Sequence, residues 1–339
     1  MKAALSRGGA TVRGAIAGAV TVLAIALLLI LSRQDPISAM RALVLGGFGS
    51  RDAWLGTLAD ATPLLLTGTA VWVALSAGWL NLGAEGQLSV GALCSVMVAL
   101  AIPGPVGLLA GLCAAFVVGA IWSLPSPFLR ARVGAHEVVT GLLLNFLARN
   151  ITRWLAAGPW RDPAGDAPRT AEAPFCLPIL MDGSELHGGF VIAIMVSGGA
   201  LLAAMRSVLG YEARFCGSAP EAARRAGIPV ERRRFCGFAL SGGLCGLAGA
   251  VVVLGATPFR GYPADFHGIG HGFDGLVAAL LAGPSPWGIP LAALMLGGLG
   301  NGADAMAFDT GTPKQISQVA IACVFLAIAV GGSRKGRPG

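Results

Sequence analysis

Long apolar runs, separated by short segments of Arg, Pro, Gly and acidic residues, recur from one end of this 339-residue chain to the other. A helix needs about 20 largely apolar residues to cross roughly 30 Å of hydrocarbon. By that ruler ten spans are expected, near residues 15–32, 57–78, 83–102, 104–123, 136–157, 189–206, 235–256, 266–283, 286–303 and 315–332. The eighth is the most interrupted, carrying Gly268, Gly270, Gly272 and Gly275 together with Asp274. The first follows Lys2, Arg7 and Arg13 in the manner of a signal peptide. Its run from Ala15 to Leu31 exceeds the roughly 7 to 15 residues of a cleavable core, which predicts an uncleaved span. Between the fifth and sixth spans, Gly158 to Gly188 mixes Pro159, Pro163, Pro168, Pro174 and Pro178 with acids and Arg, so a long polar loop is expected there.

Composition supports an all-α, polytopic membrane protein. The chain is 55% hydrophobic and only 12% charged, too apolar to be wrapped around one soluble core. Its 51 glycines suit close packing of membrane helices. The 24 Lys and Arg against 17 Asp and Glu are spread over short loops, not gathered on one face, which argues against a nucleic-acid partner. The seven cysteines include no CxxC pair and lie mostly in apolar stretches, so they read as small packing residues, without a metal or disulfide role.

Basic residues also fix an expected orientation, because Lys and Arg concentrate on the cytoplasmic side. With ten spans and both termini inside, Lys2, Arg7, Arg13, Arg130, Arg132, Arg206, Arg214, Arg224, Arg225, Arg232, Arg233, Arg234, Arg334, Lys335 and Arg337 are internal, 15 of the 24. The expected organisation is then a cytoplasmic N-terminus (1–14), a transmembrane domain (15–332) with an outer loop (158–188) and an inner loop (210–234), and a cytoplasmic tail (333–339).

That inner loop reads GYEARFCGSAPEAARRAGIPVERRR from Gly210 to Arg234. Ser218 followed by Glu221 has capping-box spacing, Pro220 suits a first helical turn, and Gly227 suits a stop. A two-turn helix lying along the membrane is expected, although a basic loop that merely obeys the positive-inside rule has the same charge. The arrangement of Gly217, Ala222, Ala223, Gly227 and Ile228 resembles the coupling loop of importer permeases, with Ser218 and Ala219 where that family carries Asn. Three further stretches resemble the permeases of the branched-chain amino acid, ribose and nucleoside transporter superfamily: Asn81 to Gly91 (NLGAEGQLSVG), His136 to Asn145 (HEVVTGLLLN), and Ser241 to Gly249 (SGGLCGLAG) with its continuation Gly272 to Gly302. The NLGAEGQ form is similar to the nucleoside and simple-sugar branch.

The resemblance implies an importer-permease fold and a permease subunit of an ATP-binding-cassette importer in a bacterial inner membrane. Gly217, Ser218, Glu221, Ala222, Ala223, Gly227 and Ile228 would couple it to separate ATPase subunits. A second, different permease chain and a periplasmic or lipoprotein substrate-binding protein would complete the assembly, in contact with membrane lipid. No cofactor is implied. The chain itself lacks the phosphate-cradling G-x-x-x-x-G-K-[ST] loop, since none of Lys2, Lys314 and Lys335 follows a Gly, so ATP hydrolysis belongs to a partner.

Polar groups inside apolar spans are costly and face a cavity or a partner, which makes Asn81, Glu85, Gln87, Asn145, Asp274 and Asn301 candidates for a substrate path. Gly83, Gly86 and Gly91 are placed to break the helix around Glu85; alternatively Glu85 is solvated at an interfacial turn. Asn145 either lines the path or joins two helices. The sequences Gly83-Ala84-Glu85-Gly86 and Gly272-Phe273-Asp274-Gly275 share the form G-x-acid-G, as an inverted repeat would. His267 and His271 stand four apart without the acid of a zinc motif, so no metal is expected. Trp72, Trp79 and Trp122 fall near span ends and read as interfacial anchors. An ion-coupled secondary transporter, with Glu85 and Asp274 as relays, is the alternative function.

Overall fold

The computed structural model describes residues 34–255, 260–268 and 270–311, with isolated positions at 23, 26, 27, 29, 30 and 319. Apart from those positions, the expected first and last spans, the N-terminus 1–14 and the tail 333–339 lie outside the described residues.

The described chain is helical, with only two isolated bridges of extended backbone, Arg169 with Pro263 and Ile179 with His187. Its helices are α1 Pro36–Phe48, α2 Arg51–Ser76, α3 Ala84–Ala101, α4 Pro105–Ser123, α5 Pro125–Val133, α6 Glu137–Ala157, α7 Gly189–Arg206, α8 Val208–Ser218, α9 Pro220–Arg225, α10 Val230–Val253, α11 His271–Ala282 and α12 Gly288–Thr310. Six are long and apolar enough to cross a membrane: α2, α3, α4 taken together with α5, α7, α10 and α12. The expected fifth span is a 21-residue helix that keeps Arg149 and Arg153 among its apolar positions.

Two departures from the expected spans have local causes. The stretch 266–283 is not one full span. It divides into a short 3-10 turn at Phe266–Gly268 and the 12-residue α11, because Gly270 takes a left-handed conformation between them. Twelve residues rise only about 18 Å, well short of the hydrocarbon thickness. The other departure is α1, for which no span was expected. Asp35 caps it by accepting from the backbone N–H groups of Ile37 and Ser38, and Pro36 occupies the first turn. These bonds to N–H donors also hold the exposed Asp35 carboxyl below its ordinary range.

The chain divides into two compact units, residues 1–60 with 294–339, and residues 61–293. In the first, Leu29, Ala39, Leu43, Ala303 and Met306 form a small core. There Thr57 Oγ1 donates to the Gly47 carbonyl at 2.6 Å.

The second unit is built on α3, α4 and α10, which pack backbone to backbone. A Cβ on Gly91 would lie 2.6 Å from the carbonyl oxygen of Gly246, and one on Gly242 2.5 Å from that of Gly119. Glycine at these positions lets three helices approach more closely than side chains permit. Trp79, expected at a membrane interface, is buried instead, with the guanidinium groups of Arg130 and Arg234 each 5.7 Å from its ring and Phe238 packed edge-on. Trp72 is buried too and donates its indole N–H to the Gly283 carbonyl at 3.2 Å. Both rings are taken up by helix contacts and are not lipid anchors.

Candidate functional site

The first turn of α3 leaves N–H groups without partners inside their own helix, and Gly83 at the N-cap has no side chain to receive them. Other segments supply the acceptors. Asn81 Oδ1 accepts from Gly83 N at 3.0 Å, and Asn145 Oδ1, from α6, accepts from Gly86 N at 2.8 Å. Asn145 Nδ2 returns a bond to the Leu82 carbonyl at 2.7 Å. Asn81 also donates to Gln87 Oε1 at 2.8 Å and to Ser241 Oγ, on α10, at 2.9 Å. Asn81, Gln87, Asn145 and Ser241 are all buried. Three predicted path residues therefore form one polar knot that ties α3 to α6 and α10, and for Asn145 the helix-joining role is the one observed. The helix is not broken at Gly86 or Gly91, which lie within α3 against Asn145 and Gly246.

Glu85 sits beside this knot and is only 4% exposed, so it is not solvated at a surface turn. Its Oε2 accepts from Gly272 N at 2.7 Å. Gly272 lies in the first turn of α11, whose N-cap is Gly270 with no side-chain cap of its own. A carboxylate from α3 thus caps α11 and matches the positive end of its dipole. The two G-x-acid-G motifs meet here, each opening a helix, with Asp274 half-buried in the first turn of α11.

Around Glu85 the fold gathers polar groups that the sequence did not single out for this site. Ser89, one turn further along α3, shares a hydrogen bond with His267 Nδ1 at 3.0 Å, and the other ring nitrogen of His267 pairs with Thr152 Oγ1 of α6 at 3.0 Å. Tyr262 is fully buried with its ring 4.9 Å from that of Phe266, and its hydroxyl stands near those of Thr152 and Ser89 without hydrogen-bonding geometry to either. Burial pushes that hydroxyl above its ordinary pKa, so it remains a neutral donor. The four-residue spacing of Glu85 and Ser89 places both on one helix face and was readable. Thr152 and Tyr262 are brought in by tertiary structure alone. His267 and His271 occupy a 3-10 turn and the start of α11, not one face of a helix, and no group of metal-ligating side chains occurs among the described residues.

Asn301 belongs to the other unit, where its Nδ2 donates to the carbonyls of Gly46 at 3.1 Å and Ala53 at 2.9 Å. It joins α12 to α1 and the start of α2.

The inner loop folds as two short helices ahead of α10. Ser218 does not cap α9 as expected: it is the last residue of α8, and its hydroxyl donates to the Phe215 carbonyl at 3.3 Å. Ala219 holds the N-cap position without a side-chain bond, Pro220 starts the helix, and Glu221 pairs with Arg224 at 2.5 Å. The predicted stop is present. Gly227 has φ of +78°, its N–H donates to the Arg224 carbonyl at 3.0 Å, and Ile228 N donates to Ala223 O at 3.0 Å. At six residues α9 is shorter than the expected two turns. Ala223 is buried in a local core with Cys216 and Val230, while Glu221, Ala222, Arg224 and Arg225 are exposed. Gly217 packs on Gly78, where a Cβ would come within 2.8 Å of the Gly78 nitrogen. A largely apolar cavity of about 230 Å³ lies between α2, α7, α8 and α10; the one charged side chain lining it, Arg233, is tied to Glu212 at 2.5 Å.

The family model described as branched-chain amino acid transport system, permease component, matches residues 53–329. The chain is 33% identical over 311 residues to the guanosine ABC transporter permease protein NupP of Bacillus subtilis, covering 90% of this chain and 88% of that protein. It is 32% identical over 307 residues to the glucose ABC transporter permease protein TsgB13 of Haloferax volcanii, covering 86% of this chain and 80% of that one. It is 30% identical over 338 residues to the nucleoside ABC transporter permease protein NupB of Lactococcus lactis, covering 95% and 89%.

Proposed function

The chain belongs to the branched-chain amino acid transport system permease family and is the membrane-spanning permease subunit of an ATP-binding-cassette importer; from that premise we propose that its cargo is a nucleoside or a simple sugar. It is a multi-pass transport subunit and not an enzyme. Relatives named for guanosine, nucleosides and glucose support this cargo class.

In the proposed assembly the chain adopts the importer-permease fold with about ten spans, both termini cytoplasmic, in a bacterial inner membrane. A second, different permease chain completes the pore, and a substrate-binding protein, soluble or lipid-anchored, delivers cargo from outside near the 158–188 loop. ATP binding closes the partner ATPases, and the 210–234 loop carries that motion into the spans. Within this loop Glu221 and Ala222 would face the ATPase. Gly217, Ser218, Ala223, Gly227 and Ile228 would hold the short helix in its pose. The path would run past Glu85 and Asp274, with Asn81, Gln87 and Asn145 supporting its wall. Asn301, as a helix joint, is the weakest member of the predicted path set.

The observation that carries the coupling role is the split between neighbouring alanines, Ala223 buried and Ala222 exposed. Ala222→Trp is expected to release the ATPase from the co-expressed, detergent-purified complex while leaving this chain folded. Ala223→Trp has no such room and is expected to disrupt the loop itself. Retention of the ATPase at wild-type stoichiometry by Ala222→Trp would remove α9 from the interface. Uptake of tritiated inosine or glucose into proteoliposomes tests the cargo, and its dependence on ATP separates this reading from ion-coupled transport through Glu85 and Asp274.

A further inference from the structure

Half-helices that begin within a membrane protein present the positive end of their dipole, and in several transporters that end faces an anionic group of the cargo. In this chain the start of α11 is already matched from within, by Glu85 Oε2 on Gly272 N at 2.7 Å. Asp274 adds a second acid in the same turn. The side chains gathered around it, Ser89, Thr152, Tyr262, His267 and His271, include no Lys or Arg, and the charge of Arg149 bears on His267. An anionic group entering here would meet two acidic side chains, neither of which forms an ion pair among the described residues, in an interior where like charges repel more strongly than in water.

The same place holds unused hydrogen-bonding capacity. Among the described residues, Glu85 Oε1, Tyr262 OH and His271 Nδ1 are buried atoms without a partner. Buried polar atoms are costly to leave unpaired, and these three combine a carboxylate acceptor, a phenol donor and an imidazole nitrogen. Resting on the reading of this chain as a nucleoside or sugar permease, we propose that Glu85, Tyr262 and His271 form a recognition point for the hydroxyl groups of an uncharged polyhydroxylated solute, and that the same point turns phosphorylated solutes away. A solute hydroxyl donating to Glu85 Oε1 gives that buried oxygen the partner it lacks. A site built to bond hydroxyls also discriminates steeply against solutes that lack them.

The experiment uses the complete complex in proteoliposomes, with saturating binding protein loaded with tritiated inosine or tritiated glucose, and reads solute moved per ATP hydrolysed. Glu85→Gln keeps an oxygen for Gly272 N but replaces the free acceptor with a donor. Tyr262→Phe keeps the ring on Phe266 and removes only the hydroxyl. Each is expected to lower solute moved per ATP by about tenfold, the effect of roughly one lost hydrogen bond, with the ATPase rate and co-purification unchanged. A second readout needs no variant: inosine on the inner side inhibits wild-type uptake, and inosine 5′-monophosphate at the same concentration does not. Wild-type coupling in both variants, equal inhibition by the monophosphate, or loss of ATPase and assembly together with uptake would each overturn the proposal. If the wild-type complex moves neither solute, the cargo reading falls with it; if it moves one and the variants are unaffected, only the recognition point falls.

Discussion

Replacing Asn145 with Ala isolates the polar knot at the start of α3. The substitution removes two buried bonds, from Gly86 N at 2.8 Å and to Leu82 O at 2.7 Å. It also leaves both backbone groups without partners. An orphaned buried group costs about 1–3 kcal/mol, but hydrogen bonds between membrane helices average only about 0.6 kcal/mol, because the unfolded chain in the bilayer also finds partners. Together these bounds give a loss of about 2–4 kcal/mol. At the roughly 2–4 °C per kcal/mol of mid-sized domains, this is a melting shift of about 4–16 °C. Asn150→Ala is the control, since Asn150 lies on the same helix but is exposed and bonds only to Phe146 O within its own helix. Heating with a thiol-reactive fluorogenic maleimide reads unfolding through Cys216 and Cys245, which are buried, above the signal of the exposed Cys113 and Cys236. If Asn145→Ala melts with Asn150→Ala and the wild type, the inter-helix cap contributes nothing and the account of the knot is wrong.

Two further outcomes follow from packing and titration. Gly246→Ala places a methyl 3.0 Å from Gly119 Cα and into the Ala115 carbonyl, so a loss of about 1–3 kcal/mol is expected. Gly199→Ala on α7 meets nothing within 4 Å and is expected to be neutral or slightly stabilising, because Ala favours the helix; the pair is compared by the same thiol melt. His187, in the loop before α7, accepts from Gly189 N at 3.1 Å, and burial holds its imidazole below the ordinary 6.5. With the folded pKa depressed, protons bind the unfolded chain more readily, so this contribution is present above about pH 6.5 and is lost as pH falls below it. His187→Asn keeps an acceptor for Gly189 N without a titrating group. Its melting temperature should vary less between pH 7.5 and 5.5 than that of the wild type, and equal slopes would rule out His187 as the cause.

The helices were readable one segment at a time because insertion into hydrocarbon depends on the apolar content of each segment by itself. The expected 189–206 coincides with α7, and the second to fifth spans and the seventh contain or overlap the helices found. Gly227 was readable for the same local reason, since a left-handed residue ends a helix whatever surrounds it. The Ser218 capping box had the right spacing and still did not form, because α8 runs on to Ser218 and takes its hydroxyl. Glu85 was suspect from its cost in an apolar stretch, but its partner, Gly272, is 187 residues away. Ser241 stands 160 residues from Asn81, and Tyr262 comes to Ser89 and Thr152 from a loop with no apolar pattern. Charge and hydropathy in the chain therefore determined that this is a helical membrane protein and which acids are out of place, and the motifs at 81–91, 136–145, 217–228 and 241–249 carried the resemblance to a permease. Which groups meet those acids was settled by glycine-mediated close packing of α3, α4 and α10, segments remote in sequence, which brings the start of α11, set by the left-handed turn at Gly270, beside Glu85.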